Sequence, residues 1–582
     1  MTSLVHAESF LVIDVGSIST RAFLFDVVDQ QYRFIAVGVS PTTINSPFFN
    51  ISEGVRRALD QLQEFTGRRF IGKDEQLIIP VAGDGSGVDR FAASISVGKP
   101  LNIVAVGLLE DVSLESACHL ASTINSKLTQ VISLNDRRKQ DTRINMLLRV
   151  RPDLIIAAGG TNGGASLTVK KLLETVGLAC YLMPENQRPE ILFAGNQVLE
   201  EELKSIIGSI APIHFAPNIR PTLEREQLDP SYVHLANIYS IIRTRQIPGA
   251  EELYRWSEGN LMPTSVAFGR IVRFLSKVNK VDKRALGIDI GSSATTLATA
   301  YKGELSLKVF PGFGIGSGLG ELLDYIPLSQ ILKFLPEEIS ENKLKEFLAN
   351  NSIYPSSLPA TQEEMTIAHG LVRQIMQEVI KSTNIENRKA ASMTSEYFTG
   401  FEPILATGSI LTQAPSLAHS ALLLLDGLQP VGITTLILDQ NQITPALGAA
   451  SLINPILVVQ ILNSNSLLHL GTVIAPVGFA RTGSPVLRVR ITYQSGQESK
   501  IEVKQGSLER IVLPYGQPAR LHLQPLLRYD IGMGAPGRGG DLRVTGGALG
   551  VIIDARGRPI RLPEKRNAYQ DLQRKWFSTL ES

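Results

Sequence analysis

The chain is poor in cysteine, with only Cys118 and Cys180 in 582 residues. Two thiols cannot build a disulfide framework or a thiolate metal cluster, which points to a reducing compartment, with cytoplasm as the default. Both sit in apolar patterns and read as core residues. Eight histidines are scattered singly with no H-E-x-x-H or paired ligand spacing, so the sequence offers no protein-ligated transition metal. No G-x-S-x-G nucleophile elbow occurs in the Gly-rich loops, which leaves serine-hydrolase chemistry without support. Clean hydrophobic runs are also missing. The one stretch that imitates a membrane span, charge-free from Gln440 to Ala480, is broken by Pro445, Asn454, Pro455, Gln460, Asn463, Asn465 and His469. No window there supplies the roughly 20 apolar residues a span needs. The N-terminus has no basic region ahead of its short apolar run and reaches Asp14 too soon for a signal peptide.

Neither sign of charge dominates: 57 Lys and Arg stand against 55 Asp and Glu, with 43% apolar and 19% charged residues. This is a globular composition, long enough for about three to four domains of about 150 residues each. The charge is unevenly placed. From Gly471 onward there are 17 Lys and Arg against 9 Asp and Glu, which sets the tail apart as a basic unit. Its arginines lie among period-two alternations such as VLRVRITY, with no aromatic platform, so the expected reading is a solvated basic face and not a nucleic-acid partner.

The most informative feature is an internal echo. FLVIDVGSISTRAFLFDV, from Phe10 to Val27, recurs as ALGIDIGSSATTLATAYKGELSL from Ala285 to Leu307. Each copy is an apolar strand ending in Asp-x-Gly-Ser, a hydroxyl-rich turn and a second strand. Between them, short apolar runs (LNIVAVGLL, LTQVISL, PDLIIAAGG, PEILFAGN) alternate with helical stretches at 30 to 40 residues per unit, the grammar of an open parallel sheet. A mostly helical return follows, and the closing segment NAYQDLQRKWFSTL reads as a helix. We divide the chain at 1–95 (first half with its turn), 96–220 (inserted parallel α/β domain), 221–284 (helical return), 285–460 (second half) and 461–582 (basic antiparallel β domain).

A glycine in such a turn lets backbone N–H groups approach an anion, and the hydroxyls add donors. An Asp at the strand end is placed to hold Mg²⁺ through water. A single copy would read as a polar hairpin turn. Two copies can clamp the phosphates of a nucleotide from opposite sides of a cleft. The candidates are Asp14, Gly16, Ser17, Ser19 and Thr20 in the first turn and Asp289, Gly291, Ser292, Ser293, Thr295 and Thr296 in the second, with Asp14 and Asp289 as the catalytic and Mg²⁺-holding carboxylates. A third element, Gly408 with Ser409 in ILATGSILTQAP, is a Gly turn opening onto a helix, suited to pack against an adenine or ribose.

This order of elements resembles the actin, Hsp70 and sugar-kinase superfamily of ATPases, and within it the MutL family of glutamate mutase accessory proteins. The resemblance rests on IDVGSISTRAFLFD, on PDLIIAAGGTNGGA with FAGN, on NLMPTSVAFGRIV ahead of IDIGSSATT, and on ILATGSILTQAP, colinear over roughly residues 10 to 450. It implies a duplicated ribonuclease-H-like core with a nucleotide cleft, ATP and Mg²⁺ as cofactors, and ATP/ADP-dependent, chaperone-like reactivation or cofactor exchange for an adenosylcobalamin-dependent mutase. It places Asp14, Gly16, Ser17 and Thr20 at the first phosphate position, Asp289, Gly291 and Thr295 at the second, and Gly408 with Ser409 at the adenosine. No D-x-H-x-x-G signature of directly bound cobalamin accompanies it. Where the family's second turn commonly reads D-x-G-G-x-T-T-D, this chain has Ser292 for the second glycine and Thr296 for the final carboxylate. Losing that carboxylate removes a general-base candidate, which leaves open whether the chain is a weak ATPase or a binder of ATP without hydrolysis. A small-molecule kinase on the same fold and a non-hydrolysing actin-like scaffold remain the alternatives. Gly159–Gly164 is a second anion-loop candidate or a tight βα turn. The Gly-Arg-rich stretch from Asp530 reads as an interaction surface using Arg538, Arg543, Arg556 and Arg558, or as hairpin turns with solvated arginines.

Overall fold

A computed structural model describes residues 8–278, 283–390, 400–526 and 528–581, with no account of side chains at 384–390. The chain divides into two units: residues 1–271 with 305–311 and 444–461, and residues 272–304 with 312–443 and 462–582.

The first unit starts from β1 (Phe10–Val15), whose six residues FLVIDV are all buried. A continuous apolar run of this kind suits a strand covered on both faces. It pairs antiparallel with β2 (Ser19–Val28), which pairs antiparallel with β3 (Gln31–Pro41). The β2–β3 turn places Asp29 and Gln30 at φ +50° and +60°, the twist that a two-residue hairpin requires. On the other side of β1 lies β4 (Arg90–Ile95), parallel to it. An inserted sheet of five parallel strands follows: β5 (Leu101–Gly107), β6 (Ser126–Ile132), β7 (Leu154–Ala158), β8 (Glu190–Phe193) and β9 (Ile213–Phe215), in the order β6-β5-β7-β8-β9. Its core packs Val104, Ile155, Ile191 and Phe193 against Leu172, Val176 and Cys180 of the helix Leu167–Leu182. The chain returns through the helix Tyr232–Gln246 to β10 (Leu261–Pro263), parallel to β4, completing the order β10-β4-β1-β2-β3.

A second sheet repeats this plan, with all of its strands but the one at Glu304–Pro311 in the second unit. β11 (Arg284–Ile290) pairs antiparallel with β12 (Ala294–Tyr301), and β13 (Glu304–Pro311) lies beyond it. The turn between them again carries two positive φ values, Lys302 and Gly303. β14 (Phe401–Thr407) is parallel to β11, and β15 (Gly432–Leu438) is parallel to β14. The order β15-β14-β11-β12-β13 is therefore that of the first sheet, strand for strand. A duplicated three-antiparallel, two-parallel sheet is the ribonuclease-H-like, actin-type ATPase core.

The tail is not a self-contained sheet. β16 (Leu468–Ala475), β19 (Leu508–Ile511) and β22 (Val551–Asp554) extend the second core sheet beyond β15. Only β17 (Pro485–Tyr493), β18 (Glu498–Lys504), β20 (Pro518–Pro525) and β21 (Gly540–Thr545) form a separate antiparallel sheet, ordered β18-β17-β20-β21. One core joins the two sheets, with Ile474 and Ile553 packing with Val489, Leu521 and Val544. The buried apolar run of β16 explains the merger, because such a strand needs cover on both faces.

Arg556 and Arg558 differ from their reading as surface groups. Both are buried. Arg556 forks onto Asp554 (2.9 Å) and reaches Asp426 (2.6 Å), Arg558 also bonds Asp554 (2.9 Å), and Arg373 bonds Asp426 (2.8 Å). Burial pushes the Asp554 carboxyl up, but Arg556 and Arg558 override it and hold the group well below the usual carboxylate range. The guanidinium of Arg556 also stacks 4.5 Å from the Trp576 ring on the closing helix Arg566–Glu581. Among the described residues, no helix is long and apolar enough to cross a membrane.

Candidate functional site

The two Asp-x-Gly-Ser turns have one backbone. In the first, Val15 pairs with Thr20 and Gly16 N donates to Ser19 O (3.0 Å); in the second, Ile290 pairs with Thr295 and Gly291 N donates to Ala294 O (3.0 Å). A Cβ at either glycine would lie 2.9 or 3.0 Å from that same carbonyl, so a side chain there forces the turn to shift.

In both turns the carbonyl oxygens are engaged by a neighbouring segment. Thr42 donates through N to Ile18 O (2.7 Å) and through Oγ1 to Gly16 O (2.8 Å). In the second turn the loop after β13 does this work: Ile315 N reaches Gly291 O, Gly316 N and Gly318 N both reach Ser292 O, and Gly312 N reaches Ser293 O, at 3.0 to 3.2 Å. Ser317 N adds a bond to Ser292 Oγ (3.2 Å). The loop lies so close that a Cβ on Gly314 would sit 2.1 Å from Ser292 O. Bonded carbonyls present less negative potential to an anion, and a turn held this way is preorganised to offer its amides.

Thr20 and Thr295 stand at the foot of each turn and are fully buried. Thr20 Oγ1 shares a hydrogen bond with Thr42 Oγ1 (3.0 Å), and Thr295 Oγ1 donates to Phe313 O (2.6 Å). These hydroxyls brace the turns from behind. Ser17, Ser19, Ser292 and Ser293 lie in the turns themselves, and Thr296, nearly buried, pairs across the hairpin with Asp289.

Asp14 is 5% exposed, and its Oδ1 accepts from Ser94 Oγ (2.6 Å) and Thr264 Oγ1 (2.9 Å). Burial pushes its carboxyl above the ordinary range, against the opposing pull of Ser94, Arg21 and Thr264. Arg21 is its partner across the hairpin and Ser94 its parallel neighbour on β4. Asp289 is half-buried, with Thr296 across the hairpin and Thr407 as parallel neighbour on β14. Thr407 Oγ1 is buried without a hydrogen-bond partner.

These donors are all oxygens. A desolvated carboxylate gains from a nearby cation, and an orphaned hydroxyl beside the second carboxylate can bond a coordinated water. Among the described residues no group of three or more His, Cys, Asp or Glu could hold a metal. Each turn taken by itself offers only oxygen donors, the ligand type that a hard divalent cation takes.

Gly408 meets the second turn directly. Its φ is +109°, and a Cβ there would sit 2.3 Å from Ile290 O. Its own carbonyl accepts from Leu411 N and Thr412 N (3.0 Å each), opening the short helix that Ser409 begins. The structure therefore brings Gly408 and Ser409 against the strand end that carries Gly291. The loop Gly159–Gly164 is tied to its surroundings: Asn162 N and Gly163 N donate to Pro221 O and Asn196 Oδ1, and Gly164 N donates within the loop to Thr161 O. The amides of Asn162, Gly163 and Gly164 are thus taken by protein acceptors, which favours the tight-turn reading.

Sequence reasoning missed Thr42, Ser94, Thr264, Thr407 and the clasp at 312–318. The glycines of PGFGIGSG were a visible signal for the clasp. Ser94 and Thr407 become visible only through strand register.

The family model for MutL protein matches residues 10–466. No curated protein matches the chain. Among solved structures, acetone carboxylase in its nucleotide-free form shares 13% identity at a TM-score of 0.32, over 86% of this chain and 81% of that one. The ethanolamine utilization protein EutJ from Carboxydothermus hydrogenoformans shares 9% at 0.28, over 77% and 91%. Diol dehydratase-reactivating factor, also nucleotide-free, shares 9% at 0.25, over 69% and 92%. With its family model matched over most of its length and the duplicated core sheet in place, the chain belongs to the MutL family.

Proposed function

We propose that the chain binds ATP with Mg²⁺ through the Asp14 and Asp289 turns and uses the bound nucleotide to service an adenosylcobalamin-dependent mutase of the glutamate mutase type. The observation that carries the reading is the matching backbone of the two turns: the same register, the same glycine bond and an Asp at the same strand position. In a chain of the MutL family, two preorganised, oxygen-rich turns suit phosphate groups better than any other common ligand.

In this reading Ser17 and Ser19, and Ser292 and Ser293, offer amides and hydroxyls to phosphate oxygens, while Gly16 and Gly291 let the turns close around them by donating to Ser19 O and Ala294 O. Thr20 and Thr295 hold the strands behind them. Gly408 and Ser409 take the adenosine. Asp14 and Asp289 would hold a Mg²⁺ ion through its water shell, and the ion would supply neutralisation of phosphate charge. Thr296 supplies no carboxylate, which suits a protein that acts through nucleotide state more than through turnover.

Calorimetric titration with ATP and Mg²⁺ tests the site. Asp14→Asn and Gly291→Val should each weaken binding at least tenfold with the fold retained, and unchanged affinity in both would overturn the proposal. Affinity capture from the native cell extract tests the partner. Subunits of an adenosylcobalamin enzyme should be recovered in amounts that differ between ATP and ADP.

A further inference from the structure

The four-stranded sheet of the tail presents one face to solvent, and its chemistry follows from register. Val489, Ile491, Val503, Leu521, Leu523 and Val544 point into the core, so their alternates point out. Three rows cross the strands. Glu502 faces Arg488, which faces Gln524; Lys500 faces Arg490, then His522, then Asp541; Glu498 faces Thr492, then Arg520, then Arg543. Lys504 continues the outward series on β18.

Two neighbours in this grid carry like charge directly opposite one another: Lys500 with Arg490, and Arg520 with Arg543. Side chains so placed have Cβ atoms about 4.5–5.5 Å apart, where like charges repel. Arg488 is paired with Glu502 (3.0 Å), and Arg520 with Asp541 (2.5 Å). Among the described residues, Arg490, Lys500, Lys504 and Arg543 have no ion-pair partner, so the face keeps an unneutralised positive strip.

We infer that this face docks a partner protein through a carboxylate-rich surface. Spacing supports the match: outward residues repeat every ~6.7 Å along a strand, close to the ~6 Å rise between i and i+4 carboxylates on a helix. The composition of the face favours protein over nucleic acid. Glu498, Glu502 and Asp541 interleave with the cations and would repel a continuous phosphate backbone, whereas a protein surface can meet them with cations of its own. The grid holds no Phe, Tyr or Trp ring on which a base could stack, and its one imidazole, His522, is engaged by Asp541 (2.9 Å). The inference does not depend on the nucleotide reading.

Fluorescence anisotropy on the full chain at low salt tests it, using labelled poly-L-glutamate and a mixed-sequence single-stranded oligodeoxynucleotide of equal charge. Wild-type protein should bind the polyglutamate more tightly than the oligonucleotide. The combined variant Arg490→Gln, Lys500→Gln, Arg543→Gln should lose at least tenfold in polyglutamate affinity. A control at exposed positions of the closing helix, Arg574→Gln with Lys575→Gln, should lose less than twofold. If the triple variant melts early, the single substitutions, each expected to lose about two- to threefold, carry the same test. No polyglutamate binding, equal losses in face and control variants, or tighter binding of the oligonucleotide would overturn the inference.

Discussion

The two turns share a backbone and differ in what surrounds it. Asp14 is buried, bonded by two hydroxyls and opposed across its hairpin by Arg21. Asp289 is half-buried, with Thr296 in the place of that cation and Thr407 in the place of Ser94. The first turn is held behind by a single residue, Thr42, and the second by a clasp spanning Gly312–Gly318. A repeat thus preserves the path of the chain around its glycine while leaving the charge at the strand end and the means of support free to diverge.

The support differs most, so it is the place to break the comparison hardest. Gly314→Ala would drive a Cβ to 2.1 Å from Ser292 O, backbone that cannot step aside. Overpacking and backbone strain of this kind should destabilise the second unit by about 3 kcal/mol or more. Thr42→Val removes the bonds from Oγ1 to Gly16 O and Thr20 but keeps the Thr42 N bond, and should destabilise the first unit by only about 1–2 kcal/mol. Denaturant unfolding of both variants measures the difference, and equal losses would show that the two supports are equivalent after all.

The missing carboxylate allows a second, smaller test. Thr296→Asp places an acid directly opposite Asp289 across the hairpin. A positioned general base is worth about 10²–10⁴ in rate where it is effective, so even a poorly placed one should raise phosphate release from ATP at least tenfold. The same substitution at Arg21 should raise nothing, because it would set a second anion beside an already desolvated Asp14 and weaken the turn.

How far the sequence could be read follows from the range of the interactions. The paired turns were legible because glycine, hydroxyl and Asp recur at fixed spacing, and the inserted sheet because buried parallel strands are short apolar runs. Their local chemistry was not legible. Ser94 lies 80 residues from the Asp14 it bonds and Thr264 lies 250 away, and only parallel pairing brings them together. Thr20 and Thr295 look like phosphate ligands in the motif, yet their hydroxyls turn into the protein. In the tail the positive charge was countable, but period-two patterning cannot say which arginines are buried. Arg556 and Arg558 lie in an ionic core with Asp426 and Asp554, while Arg490 and Arg543 lie on the open face.

The finest distinction between the turns is one of protonation. Burial raises the Asp14 carboxyl above its ordinary value, so between the unfolded and folded values the native state holds more protons than the unfolded chain. Stability must then fall as pH rises through the acid window just above the usual carboxylate range, and stay at the lower level at neutral pH. Asp14→Asn keeps an oxygen to accept from Ser94 and Thr264 but cannot ionise. Its ligand-free form should lose that part of the pH slope and, at neutral pH, melt level with the wild type or about 2 °C above it. Adding ATP with Mg²⁺ should reverse the order, since only the ionised carboxylate can hold the water shell of the cation. Thermal melts across pH, with and without nucleotide, measure both signs. A variant that melts lower without ligand and keeps the full slope would show that burial is not what sets Asp14 apart from Asp289.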